Sequence, residues 1–209
     1  MVEMGGFLDM GTSSDPIPKT TKSEVIFVLT QAQADAYVGG FNFEPTDKGL
    51  WVMSGGRWET HGAPLLRTWS KLAQDAPANA ATVIVENDVQ DWYVGGTVII
   101  TQTSNPLPTN PEQVVLENEI RNITSVESLP DGKTRLTVNK PLSFSHQGAG
   151  QERGEAGLLT RNILINTDIT GVDESTLESS QLVSNRNGRK FAHTMFMFGA
   201  SGNVQYTEF

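Results

Sequence analysis

The chain has 209 residues, a net charge of −9, four tryptophans, three histidines and no cysteine. That acidity excludes the basic face that holds nucleic acid, and the lack of cysteine excludes disulfides, thiol catalysis and cysteine-ligated metal. His61, His146 and His193 stand at no metal-ligand spacing, and no glycine-rich phosphate motif is present, so neither a metal site nor a cofactor is expected. No run reaches the ~18 apolar residues that span a membrane. The opening M-V-E-M-G-G-F-L-D-M-G-T is not a signal peptide, because Glu3 and Asp9 interrupt its apolar part and no basic start precedes it.

In chain order the signals are almost all for strands. Phe7 to Met10 runs into the turn G-T-S-S-D-P-I-P, where Pro16 and Pro18 stop a ladder. Glu24 to Leu29 is a β-branched and aromatic run. Gln31 to Tyr37 is the one helix candidate, alanine-rich and too short to stand alone. Leu50 to Met53 and Arg57 to Thr60 flank S-G-G, which predicts a hairpin or a tight corner. Thr82 to Val85 and Thr97 to Thr101 surround D-W-Y-V-G-G, and Val114 to Val126 is a longer stretch broken near Asn122. Arg135 to Val138 follows a turn at Asp131-Gly132. Leu158 to Ile165 reads as one strand, followed by a polar loop from Asp168 to Ser180 and a last pair, Thr194 to Phe198 and Asn203 to Phe209.

Short strands with unequal corners predict an all-β chain. Runs that are apolar at every position, such as V-I-F-V-L and T-V-I-I, predict a sheet covered on both sides, as in a parallel β-helix with irregular corner loops. No strict repeat is present. Both ends read as strand with no closing turn, so the chain is expected to be a piece of something longer, truncated at its C-terminus.

Six stretches, in the same order, resemble the eight-glycine (G8) domain of fibrocystins and of the cell-migration-inducing and transmembrane hyaluronidase proteins. They are G-G-F-L-D-M-G-T-S-S-D-P-I-P with V-I-F-V-L, M-S-G-G-R-W-E-T-H-G-A-P, T-W-S-K-L-A, D-W-Y-V-G-G-T-V-I-I, P-L-S-F-S-H-Q-G and E-A-G-L-L-T-R-N-I. Gly96 stands where the family has an acid, and Phe144 where it has a tyrosine. The resemblance implies a right-handed parallel β-helix, with a G8-like β domain over residues 1–150 and continuing coils over 151–209. It implies an extracellular or cell-surface place within a larger secreted or membrane-anchored protein. It also implies a structural, glycan-binding (hyaluronan-like) or protein-binding role, or a share in a hyaluronan-degrading enzyme.

Several residues carry both a functional and a structural reading. Trp51, Trp58, Trp69 and Trp92 form either a sugar-stacking surface, with Trp92 as its binding residue, or core plugs. His146 is either a general acid or base or a turn-holding hydrogen-bond partner. Glu155 and Arg161 either pair with each other, or Arg161 reads a sugar carboxylate through its bidentate guanidinium. His193 either faces a ligand or caps a corner. Together His146, Glu155, Arg161 and His193 are the catalytic candidates of the enzyme reading. Glycoside cleavage needs two facing carboxylates, and only Glu155 stands out. Asn122-Ile123-Thr124 is a glycosylation sequon. Asp168, Asp173 and Glu174 read as a solvated loop or a calcium loop, without the alternation of an EF-hand. Gly6, Gly11, Gly56, Gly62, Gly95, Gly148 and Gly157 are expected at corners or where strands stack closely.

Overall fold

The computed structural model describes residues 1–31, 49–104, 117–171 and 193–209. Every element among them is a β-strand. The strands pack as two units: unit 1 is Met1–Pro64 with Arg161–Phe209, and unit 2 is Leu65–Thr160.

Unit 1 holds β1 (Phe7–Met10), β2 (Ser23–Thr30), β3 (Gly49–Val52), β4 (Arg57–His61), β11 (Ile163–Gly171), β12 (His193–Phe196), β13 (Ser201–Gln205) and β14 (Thr207–Glu208). All their pairings are parallel. β4 lies between β1 and β13, β11 lies between β2 and β14, and β3 pairs with β12 and bridges Val2 through Val52. Counting the Val2 bridge, each sheet thus takes one segment from each of three successive passes of the chain, and its middle strand comes from the second pass. Side chains alternate between the two sides of a strand. On β4 Trp58 and Thr60 go into the core with Leu50, Val52 and Ile165, leaving Arg57, Glu59 and His61 on the other side. Phe196 stacks on Trp58 at 5.6 Å and Phe209 meets it edge-on at 6.2 Å.

Unit 2 holds β5 (Trp69–Lys71), β6 (Thr82–Val85), β7 (Thr97–Ile100), β8 (Glu119–Ser128), β9 (Thr134–Val138) and β10 (Glu155–Leu158). They form one sheet in the order β5-β10-β7-β8-β9-β6, antiparallel at every pairing. Beyond β5, Leu72 bridges Val85 and the Ala73 amide donates to the Ile84 carbonyl (2.8 Å), so the sheet curls back on itself. Its inner side is a core of Leu72, Val83, Val85, Trp92, Val98, Ile100, Leu136 and Leu158 among others.

These findings correct several expectations. The largest sheet is antiparallel, and its β8–β9 pair is a hairpin closed by the Asp131-Gly132 turn, with Gly132 at φ 79. The fully apolar runs are not covered on both sides. In T-V-I-I only Val98 and Ile100 are buried, and in β2 Ile26 and Val28 are exposed while Val25 and Phe27 turn toward the core. Leu158 to Ile165 is not one strand: β10 ends at Leu158, β11 begins at Ile163, and the chain passes from unit 2 to unit 1 between Thr160 and Arg161. The S-G-G stretch is a corner and not a hairpin, because β3 and β4 lie in different sheets. Asp168 belongs to β11 and not to a loop. The break expected near Asn122 is a register shift between Ile123 and Ser125. Residues 32–37 of the helix candidate, and Asp173 with Glu174, lie outside the described residues.

Candidate functional site

The densest polar cluster among the described residues of unit 2 centres on Glu119, at the start of β8. The corner that follows β9, Pro141 to Gly148, delivers its partners. The Ser143 amide donates to both Glu119 oxygens (2.8 Å to Oε2, 3.1 Å to Oε1), and the Phe144 amide donates to Oε1 at 3.0 Å. His146 Nε2 lies 2.9 Å from Oε1, and Arg121 closes on Oε2. Burial alone pushes the Glu119 carboxyl up. The bonds from Ser143, His146 and Phe144 and the Arg121 charge outweigh that and hold it down at about 2. The other ring nitrogen of His146, Nδ1, donates to the Thr101 carbonyl at 2.9 Å. Both nitrogens of this 1 % exposed residue therefore face acceptors inside the protein. Arg121 also donates to the carbonyls of Ile120, Lys140 and Pro141.

Unit 1 carries a cluster of the same composition on one side of β4. Arg57, Glu59 and His61 stand two residues apart, so their side chains share a side. Glu59 accepts from Arg57 through Oε2 and lies 3.1 Å from His61 Nε2 through Oε1. Arg57 also lies 5.2 Å over the Phe7 ring. Asn162 is a third polar tie. Its Oδ1 accepts the Ala63 amide at 2.8 Å, and its Nδ2 faces the carbonyls of Ile17 (3.0 Å), Pro18 (3.1 Å) and Thr21 (3.1 Å).

The expected site residues scatter over these features. His146 is in the Glu119 cluster, and its carboxylate partner is Glu119. Glu155 opens β10, where it is half-buried opposite Lys71. Arg161 lies across the boundary in unit 1, and its backbone amide donates to Glu208 at 3.0 Å. His193 starts β12, opposite Gly49. Trp92 is 2 % exposed and its indole N–H donates to the Arg67 carbonyl at 2.8 Å, the geometry of a core plug. Asn122 is exposed on β8. Asp168 has its carboxyl held below the usual range by the Thr170 hydroxyl and amide. Among the described residues no group of three or more acidic or histidine side chains is placed to hold a metal. Sequence reasoning missed Glu119, Arg121 and Glu59, whereas Asn162 falls in the stretch E-A-G-L-L-T-R-N-I that the sequence marked. The alternation R-x-E-x-H in β4 was the available signal for Glu59.

A shallow cleft of about 350 Å³ opens beside the His146 corner, lined by Asp75, Ala76, Pro77, Thr103, Ser104, Ser145, His146 and Gln147. Its walls are cross-tied: Gly148 N–H donates to Asp75 Oδ1 (2.7 Å), Gln147 N–H to the Thr103 hydroxyl (2.9 Å) and Ala78 N–H to the Ser145 hydroxyl (3.0 Å).

No protein-family profile matches the chain. A G8 domain-containing protein of Dictyostelium discoideum is 30% identical over 128 residues, which is 61% of this chain and 10% of that protein. Mouse fibrocystin-L is 29% identical over 174 residues, covering 79% of this chain and 4% of its own length. Dog fibrocystin is 27% identical over 179 residues, covering 81% and 4%. The chain is a homologue of the G8 domain-containing proteins and fibrocystins. It spans about a tenth or less of the length of these relatives. Among solved structures, this G8 homologue is loosely similar to the tailspike of Pseudomonas phage phi297 (TM-score 0.38, 13% identity, 58% of this chain and 22% of that one). It is similarly distant from the tailspike of Acinetobacter baumannii bacteriophage AP22, solved with a capsular saccharide (TM-score 0.34, 13% identity, 70% and 23%). The G8-like motifs coincide with the polar ties: H-G-A-P begins at His61, P-L-S-F-S-H-Q-G contains His146, and E-A-G-L-L-T-R-N-I contains Asn162.

Proposed function

We propose that this G8 homologue is an extracellular or cell-surface β module, structural in its main role, that presents a saccharide- or protein-binding surface within a larger protein. Unit 1 is read as a short right-handed parallel β-helix, supported by its three parallel sheets built from three successive passes. By resemblance the G8-like part is residues 1–150 and the continuing coils are 151–209, a division of sequence kinship that cuts across the packed units. The extracellular placing rests on the kinship with fibrocystins. Among the described residues no helix is long and apolar enough to cross a membrane.

The observation that carries this reading is the state of His146. A general acid or base must be able to reach the proton it moves. Here one ring nitrogen is engaged by Thr101 and the other by Glu119, and Glu119 is itself saturated by Ser143, Phe144 and Arg121. These groups fix a corner, which favours a frame over a proton relay. Arg161 is kept as the candidate for an acidic saccharide, since its guanidinium suits a carboxylate.

The test is titration of the folded chain with hyaluronan tetrasaccharide and with neutral tetrasaccharides, followed by calorimetry and by product analysis, with Arg161→Ala alongside. Saturable binding without cleavage is expected. Turnover of any of these sugars by the chain would contradict the reading, as would the absence of binding to every saccharide and to extracellular protein partners.

A further inference from the structure

We infer that the outer side of the β5-β10-β7-β8 part of the unit 2 sheet is a stacking platform for a neutral saccharide, with Trp69 at its centre of affinity. The inference rests on the saccharide-binding reading above and gives it a place. Trp51, Trp58 and Trp92 are 5 %, 1 % and 2 % exposed, whereas Trp69 is 53 % exposed. The pairing register sets Trp69 opposite Gly157, Gly157 opposite Ile99, and Ile99 opposite Ile120, which is 58 % exposed. Their strand neighbours Ser70, Ala156, Val98, Ile100 and Glu119 are buried on the inner side, so these four form one outward row. Gly157 brings no side chain to the row, leaving open the flank of Trp69. The row beside it on one side holds Lys71 opposite Glu155, and on the other Thr97 opposite Asn122, with Leu159 at the β10 end.

Size decides the occupant. Three inter-strand steps of ~4.8 Å make the apolar row about 14 Å long, and the same-side spacing along a strand makes it about 7 Å wide. That is roughly 100 Å², far below the ~800 Å² per partner of a stable protein interface. It matches the apolar face of two or three pyranose rings, for which an exposed indole is a suitable stacking surface. The polar rows on either side supply a cation, a carboxylate, a hydroxyl and an amide within reach of sugar hydroxyls. Lys71 and Glu155 stand opposite each other with offsetting charges beside the row, which suits a neutral sugar better than a polyanion.

The experiment titrates the purified chain with cellotetraose, mannotetraose, chitotetraose and hyaluronan tetrasaccharide. Tryptophan emission and iodide quenching are followed for the native chain and for Trp69→Ala, Trp69→Phe and Gly157→Ala. The new methyl of Gly157→Ala would stand 3.4 Å from Ile99 Cγ2 and 4.0 Å from Trp69 Cβ, ordinary contacts that keep the fold while roughening the platform. The expected result is that iodide quenches Trp69, that at least one neutral tetrasaccharide protects it, and that Trp69→Ala binds at least tenfold more weakly. Trp69→Phe should stay within a fewfold of native, and Gly157→Ala should be a fewfold weaker. Full-strength binding by Trp69→Ala would overturn the platform and leave the saccharide reading standing, as would binding of the hyaluronan probe alone with loss in Arg161→Ala. Binding of no saccharide would overturn both. Self-association or protein capture lost in Trp69→Ala, with no sugar bound, would reassign the row to a protein and overturn the inference.

Discussion

Glu119 shows how one buried charge sets the behaviour of a corner. Its carboxylate accepts two backbone amides, a histidine and an arginine, and its pKa falls from 4.5 to about 2. A depressed folded pKa means that the unfolded chain binds more protons between those values. Stability from this group is therefore complete above about pH 4.5 and is lost as the pH falls toward 2. The span corresponds to roughly 3 kcal/mol. Urea unfolding at pH 2.5, 3.5, 4.5 and 6 should show that loss in the native chain and a flatter profile in Glu119→Gln, which at pH 6 should be less stable by about 2–4 kcal/mol. A profile unchanged by the substitution would mean that other carboxylates carry the acid sensitivity. Gly148 is constrained by space: a Cβ there would stand 1.9 Å from the Gln74 carbonyl carbon. Gly148→Ala should cost several kcal/mol, because backbone cannot yield as a flexible side chain can, and a melting temperature equal to native would contradict the close approach. Gly148 was expected at a corner or a close approach and stands at one, but the role of Glu119 was not legible in the sequence. Glu119 is one of many acids in an unremarkable strand, and the spacing of 27 residues to His146 exists only once β8 and the corner after β9 are folded together.

At the scale of elements, most strands could be read from β-branched runs, because period and turn chemistry are local. β1, β2, β4, β6, β7 and β9 fall within a residue or two of their expected bounds. β5 was missed, since W-S-K is short and polar and owes its strand to pairing with β10. What could not be read was direction. Parallel and antiparallel strands share their composition, and T-V-I-I, with Ile99 on the outer side, imitates a doubly covered strand. The β8–β9 hairpin depends on Gly132 in the left-handed region, so Gly132→Ala should lower stability by about 1 kcal/mol in thermal unfolding. In β4 the Thr60 hydroxyl and the Trp58 indole N–H are buried with no hydrogen-bond partner. Thr60→Val keeps the shape and removes an unsatisfied group, and should leave stability equal or raise it by about 1 kcal/mol. Destabilisation by this change would reveal a bond that the hydroxyl makes.

For the whole molecule, each unit has its own core and its own Arg-Glu-His cluster, with the Glu and His of each buried, and the motifs shared with G8 proteins lie on these polar ties. The resemblance was legible because those ties need particular residues at corners: His61 and Asn162 in unit 1, His146 in unit 2. Their function was not, since a histidine that holds a corner and a histidine that moves a proton look alike in sequence. The separation of roles tests the account most directly: His146→Gln is compared with the native chain for both thermal stability and tetrasaccharide binding. The account predicts a clear loss of stability, with saccharide affinity unchanged at temperatures where the variant remains folded. A variant with native stability and abolished binding or turnover would contradict it and return His146 to a functional site.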